Sequence, residues 1–68
     1  MSMKKPMELL TIEGVHFYRQ EKRYGARFTT ADIVDSTTAW EALRKRYGDR
    51  VAHTDTDLMG YHEFKVTK

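Results

Sequence analysis

The stretch Glu8-Leu9-Leu10-Thr11-Ile12-Glu13-Gly14-Val15-His16-Phe17-Tyr18-Arg19 decides how this chain is read. Its aliphatic, β-branched and aromatic residues are those of a strand. The alternation is not uniform. Leu10 and Ile12 share one parity, while Val15 and Phe17 share the other. Gly14 stands where the parity changes, which is the expected place for a β-bulge. Read with that bulge, residues 8–19 form one strand. Without it, one of the two apolar pairs would face water.

Working outward, Gln20–Gly25 is polar and ends in glycine, so it reads as a hairpin connection. Residues 26–34 form a second strand, with Ala26, Phe28 and Thr30 on one face and either Ile33 or Val34 turned to the core near its end. A helix follows over residues 36–47. Asp35, Ser36 and Thr38 are all capable N-caps, and Thr38 with Glu41 has the spacing of a capping box. Trp40, Leu43 and Tyr47 recur at i, i+3 and i+7 and form one stripe, with Trp40 as the expected core anchor. Glu41 and Lys45 make an i,i+4 pair on the polar side. Arg44, Lys45 and Arg46 occupy the last turn, where the helix dipole favours cations, and Gly48 follows as the stop.

In the remaining segment Phe64 and Val66 alternate with Glu63, Lys65 and Thr67, so a last strand begins near Tyr61. Val51–Thr54 has strand character too. Asp55–Gly60 is either a turn between two short strands or a bulge in one long strand. The expected fold class is α+β: a small antiparallel sheet of three strands, or four if Val51–Thr54 forms its own, with one helix packed on one face, in the order β-β-α-β(-β). The core is expected from Ile12, Val15, Phe17, Phe28, Trp40, Leu43, Phe64 and Val66. Residues 1–6, closed by Pro6, read as a flexible tail, and residues 7–68 as a single domain.

The chain of 68 residues has room for one core and no second domain. It has no cysteine, which excludes disulfides and thiolate metal sites and favours a reducing, cytoplasmic setting. No apolar run approaches the roughly 20 residues of a membrane span, so no membrane partner is expected. A net charge of +2 is a mild excess, but its placement is uneven. Arg19, Lys22, Arg23 and Arg27 stand against Glu21, and Arg44, Lys45, Arg46 and Arg50 against Asp49, while Asp32, Asp35 and Glu41, then Asp55, Asp57 and Glu63, reverse the balance.

The pattern Lys-Arg-Tyr-Gly-x-Arg occurs twice, at Lys22–Arg27 and Lys45–Arg50. The surroundings differ, so this is not a repeat fold. The hairpin tip and the helix C-terminus nonetheless fall at the same end of the expected topology. The expected partner-binding surface is therefore Arg19, Lys22, Arg23, Tyr24, Arg27, Arg44, Lys45, Arg46, Tyr47 and Arg50. Basic residues mixed with tyrosine suit phosphates and bases. They equally suit a protein interface, where Tyr and Arg are enriched.

His53, Asp55 and Asp57 have the spacing to share one face of a strand, but turn chemistry explains the Asp and Thr cluster as well as metal ligation does, and no metal is assigned. The pairs Asp32/Asp35 and Asp55/Asp57 do not by spacing alone make an acid–base pair. With no cysteine, with Ser36 placed to cap a helix and with isolated glycines, neither a nucleophile nor a phosphate cradle is read. No catalytic residue and no cofactor is expected. The layout of hairpin, capped helix and last strand resembles that of β-rich RNA-binding ribosomal domains and of small phage proteins that bind host enzymes. That likeness lies in size and layout and carries no functional residue across.

The expected function is a small non-catalytic module, regulatory or inhibitory, that binds another protein. The alternative is a nucleic-acid-binding domain using the basic, tyrosine-containing end. A homodimer is a further expectation, because one helix leaves a sheet face and two edges uncovered. Tyr18, Met59 and Tyr61 are the residues placed on that second face.

Overall fold

Glu13 and Gly14 both have positive φ, 50° and 81°, and this overturns the reading of residues 8–19 as one bulged strand. Two consecutive residues at positive φ make a type I′ turn, whose twist matches that of paired strands. The chain reverses there. Strand β1 (Glu8–Ile12) pairs antiparallel with β2 (Val15–Lys22), with Ile12 opposite Val15 and Leu10 opposite Phe17. A bulge and a reversal both change the parity of a buried pattern, and the reversal is what forms.

The computed structural model describes residues 7–68, and the tail read over residues 1–6 lies outside them. After β2 the chain turns at Arg23 and Tyr24 into β3 (Gly25–Thr30). Helix α1 (Ser36–Tyr47), a 3-10 turn (Gly48–Arg50), β4 (Val51–Thr56) and β5 (His62–Thr67) complete it. The sheet has five antiparallel strands in the order β1-β2-β3-β5-β4, rather than three or four. One strand was absent from the sequence reading, because β1 is separate from β2, and the fourth strand it allowed at Val51–Thr54 forms as the edge strand Val51–Thr56. The α+β class and the single helix on one face stand.

The second strand stops at Thr30 instead of running to residue 34. Val34 is the one that packs against the core, and Ile33 is 64% exposed. The helix has the expected bounds. Asp35 takes the N-cap position without a side-chain cap bond, so the capping box is not used. At the other end Gly48 donates its N–H to the Arg44 carbonyl.

Phe17, Phe28 and Phe64 are completely buried between sheet and helix, with Phe17 and Phe28 edge-to-face at 5.9 Å. The helix meets them with Ala39, Ala42 and Leu43, all buried. Two alanines let the helix axis approach, and large sheet side chains fill the layer between, as close packing requires. Trp40 is not the buried anchor. It is partly buried at the flank of this stripe, with the Arg44 guanidinium 4.8 Å from its ring centroid. Thr30 is buried on the same face, and its hydroxyl accepts from the His62 N–H at 2.9 Å, extending the β3–β5 ladder with a side chain.

Candidate functional site

Strand alternation places Arg19 and Glu21 on the helix side of the sheet, in line with Val15 and Phe17. The helix does not reach over them. Beyond its C-terminus lies an open groove of about 300 Å³. Ala26, Phe28 and Val66, all buried in the core, form its floor, and Tyr47 closes one side. The Tyr47 ring packs on Phe28 with centroids 5.4 Å apart. Arg19, Arg50 and Lys68 supply positive charge at the rim, with Glu21 also bordering it. Arg50 is folded onto Tyr47: its Nε donates to the Tyr47 carbonyl at 3.2 Å, and its guanidinium carbon lies 5.8 Å from the ring centroid. A Lys68 N–H donated to the Tyr24 carbonyl at 2.8 Å ties the last strand to the hairpin tip.

Gly25, Tyr47 and Arg50 line this one groove, so the two hexapeptides do meet at one end of the domain. Their side chains then diverge. Arg27 lies on the uncovered sheet face, where its Nη2 donates to Gln20 Oε1 at 2.7 Å and its Nη1 is 3.9 Å from Glu63. The Arg27 Nε is buried with no acceptor. Lys22 shares that face by alternation. Tyr24 receives the Lys65 ammonium 4.7 Å from its ring centroid. Arg44 bonds Asp49 at 2.8 Å and covers Trp40, and Lys45 is 3.8 Å from Glu13. These two line a wider, open groove between α1 and the β1–β2 turn, with Glu13, Trp40 and Glu41. Arg23 and Arg46 are exposed. Of the ten residues expected in one surface, the groove gathers Arg19, Tyr47 and Arg50.

The residues considered for acid–base or metal chemistry serve the backbone. The register shift between His53 and Asp55 removes the single face they were expected to share with Asp57. His53 stacks on Phe64 at 4.9 Å, and its Nε2 donates to the Asp55 carbonyl at 2.9 Å. Asp55 accepts from the Thr56 N–H at 2.8 Å. Asp57 Oδ1 accepts from the N–H groups of Met59 and Tyr61 at 2.9 and 3.0 Å. His62 Nε2 donates to the Val34 carbonyl at 2.9 Å, and its Nδ1 is hydrogen-bonded to the Thr56 hydroxyl at 2.8 Å. Among the described residues no group of three His, Asp or Glu side chains is placed to hold a metal ion.

Sequence reasoning missed the turn between β4 and β5 as a surface feature. Leu58 and Met59 stand at its tip, 106% and 72% exposed, and the exposed Ile33 lies against Gly60 of the same turn. Two large apolar residues between Asp57 and Gly60 were the available signal. Met59, Tyr18 and Tyr61, expected together on a second face, are separated: Met59 is on this turn, Tyr18 is on the open sheet face, and Tyr61 is partly buried. No helix is long and apolar enough to cross a membrane among the described residues. No family model matches this chain, and no curated protein or solved structure matches it.

Proposed function

We propose that this chain is a small non-catalytic binding module, regulatory or inhibitory, whose partner is another protein. The partner docks in the groove beyond the helix C-terminus. One observation carries this reading: the groove has an apolar floor of Ala26, Phe28 and Val66 under a rim of Arg19, Tyr47 and Arg50. An apolar pocket ringed by Arg and Tyr is the composition of an interface hot spot. It fits an apolar side chain flanked by carboxylates. A phosphate backbone would need a line of free cations, and here Arg44 and Lys45 already face Asp49 and Glu13. The cysteine-free composition suits such a module to a reducing cytoplasm.

Affinity capture from a nuclease-treated lysate tests this. The wild-type chain should retain a defined protein, and the Arg19→Glu/Arg50→Glu double variant should lose it while keeping its circular dichroism spectrum. Partners that disappear with nuclease, or that ignore the double substitution, would overturn the reading.

A second reading has one observation in its favour. The open sheet face carries Tyr18, 42% exposed, and the Tyr24–Lys65 pair, with Arg27 and Lys22 nearby. Aromatics beside cations on a sheet suit unpaired bases. Tyr18→Ala and Tyr24→Ala should each weaken single-strand binding by about 1–3 kcal/mol if this face is used. The groove reading expects only weak, salt-sensitive nucleic-acid binding, and a sub-micromolar affinity at near-physiological salt would put this second reading first.

A further inference from the structure

The turn between β4 and β5 is built to hold apolar side chains in water. The Asp57 N–H donates to the Tyr61 carbonyl at 2.9 Å, and the Gly60 N–H to the Asp57 carbonyl at 3.2 Å. The Asp57 carboxylate accepts two further N–H groups from Met59 and Tyr61. These bonds close the turn from within and leave the side chains of Leu58 and Met59 without a packing role. Ile33, on the β3–α1 loop, has its side chain against Gly60 of the same turn. Leu58, Met59 and Ile33 are the most exposed large aliphatic side chains among the described residues. The hydrogen-bonded backbone holds these two side chains of the turn, Leu58 and Met59, at a fixed place on the surface, so docking them requires no loop to be ordered.

The charge around this cluster is negative. Asp32 and Asp35 flank Ile33, and Asp55 precedes the turn; all three are exposed. The groove described above has the converse character, an apolar floor with Arg19, Arg50 and Lys68 at the rim. The two surfaces lie at opposite ends of β5: His62 adjoins the turn, and Val66 and Thr67 line the groove. Six residues of strand separate them by about 20 Å. A chain therefore cannot place its own turn in its own groove.

We infer that the groove receives the Leu58–Met59 turn of a second copy of this chain. The contact sets Asp32 and Asp55 of one copy against Arg19 and Arg50 of the other. The inference rests on the groove reading above and adds a weak second occupant, a further copy of this chain, that the partner protein displaces. A groove of about 300 Å³ accepts one or two aliphatic side chains. The interface is small, so the association is weak, with a dissociation constant on the order of 100 µM. Because the two surfaces lie at opposite ends of β5, two copies either exchange tips across a two-fold axis, making the contact twice, or pass it on from copy to copy.

Two variants isolate the contact. Leu58→Ser/Met59→Ser removes the apolar tip but keeps every backbone bond of the turn. Arg19→Glu/Arg50→Glu reverses the groove rim. Circular dichroism and thermal melting establish that both fold. Sedimentation velocity from about 10 to 500 µM brackets the expected affinity. The wild type should show a weight-average sedimentation coefficient that rises above the monomer value, and less steeply as salt increases. Each variant alone should remain a monomer across the range. Their equimolar mixture should form a dimer and go no further, because only one intact groove and one intact tip can meet.

A wild type that stays monomeric, or a mixture with no dimer, would each overturn the inference. A monomeric wild type that still captures a nuclease-resistant partner through Arg19 and Arg50 would remove the self-contact and leave the groove reading standing. Loss of both would remove both.

Discussion

Phe28→Ala should abolish cooperative folding, while Trp40→Ala should leave a folded protein with a lowered melting temperature. Phe28 is completely buried at the centre of the sheet, touches Phe17 edge-to-face and supports Tyr47. Truncating such a residue costs about 3–5 kcal/mol, from lost transfer energy and from the cavity left behind. A domain of this size has a total stability of about 3–10 kcal/mol, so the substitution removes much or all of it. Trp40 is only partly buried and borders the core rather than filling it. Its loss removes part of a burial term and a contact with Arg44, together about 1–2 kcal/mol. Thermal melts followed by circular dichroism decide the order. A Trp40→Ala protein less stable than Phe28→Ala would show that the helix packs on a different face.

Gly25→Ala should be the most damaging change at any glycine. Gly25 has φ of 145°, a conformation that costs an L-residue about 1–3 kcal/mol. A Cβ there would also run into the Val66 carbonyl oxygen, which is backbone and cannot rotate aside. Relieving that contact pulls β3 from β5 at the Gly25–Thr67 pair, with a further cost of about 1–3 kcal/mol. Gly14 gives the internal comparison. Its φ is 81°, but a Cβ would meet open space, so Gly14→Ala carries the conformational cost alone. Denaturant titration of the two variants should place Gly25→Ala clearly below Gly14→Ala. Equal midpoints would contradict the close approach of β3 and β5.

The contrast between Phe28 and Trp40 shows where sequence reading ends. The helix was legible to the residue at both ends because its cues are local: capable caps before it, cations in its last turn and a glycine after it. Its rotation was not. Ala39, Ala42 and Leu43 make a stripe as good as Trp40, Leu43 and Tyr47, and only the size of the facing phenylalanines selects the narrow one. The turn at Glu13–Gly14 failed for a related reason. A parity break beside glycine fits a bulge or a reversal, and only the pairing of Leu10 with Phe17 distinguishes them. The candidate site was legible as composition and not as direction. Both hexapeptides do reach one end, yet strand alternation sends Arg19 to the helix side and Arg27 to the open face. The turn at residues 57–61 was recognisable from Asp57 and Gly60, but nothing local says that Leu58 and Met59 stay in water.

The groove is the centre of this account, and mapping a partner onto it is the most direct test. Amide spectra of the isotope-labelled chain, recorded with and without the protein retained after nuclease treatment, report where contact is made. The account predicts perturbations concentrated at Arg19, Gly25, Tyr47, Arg50 and Val66, with Tyr18 and Thr29 on the open face unchanged. Perturbations confined to Tyr18, Arg27, Thr29 and Lys65, or seen only when nucleic acid is present, would contradict it.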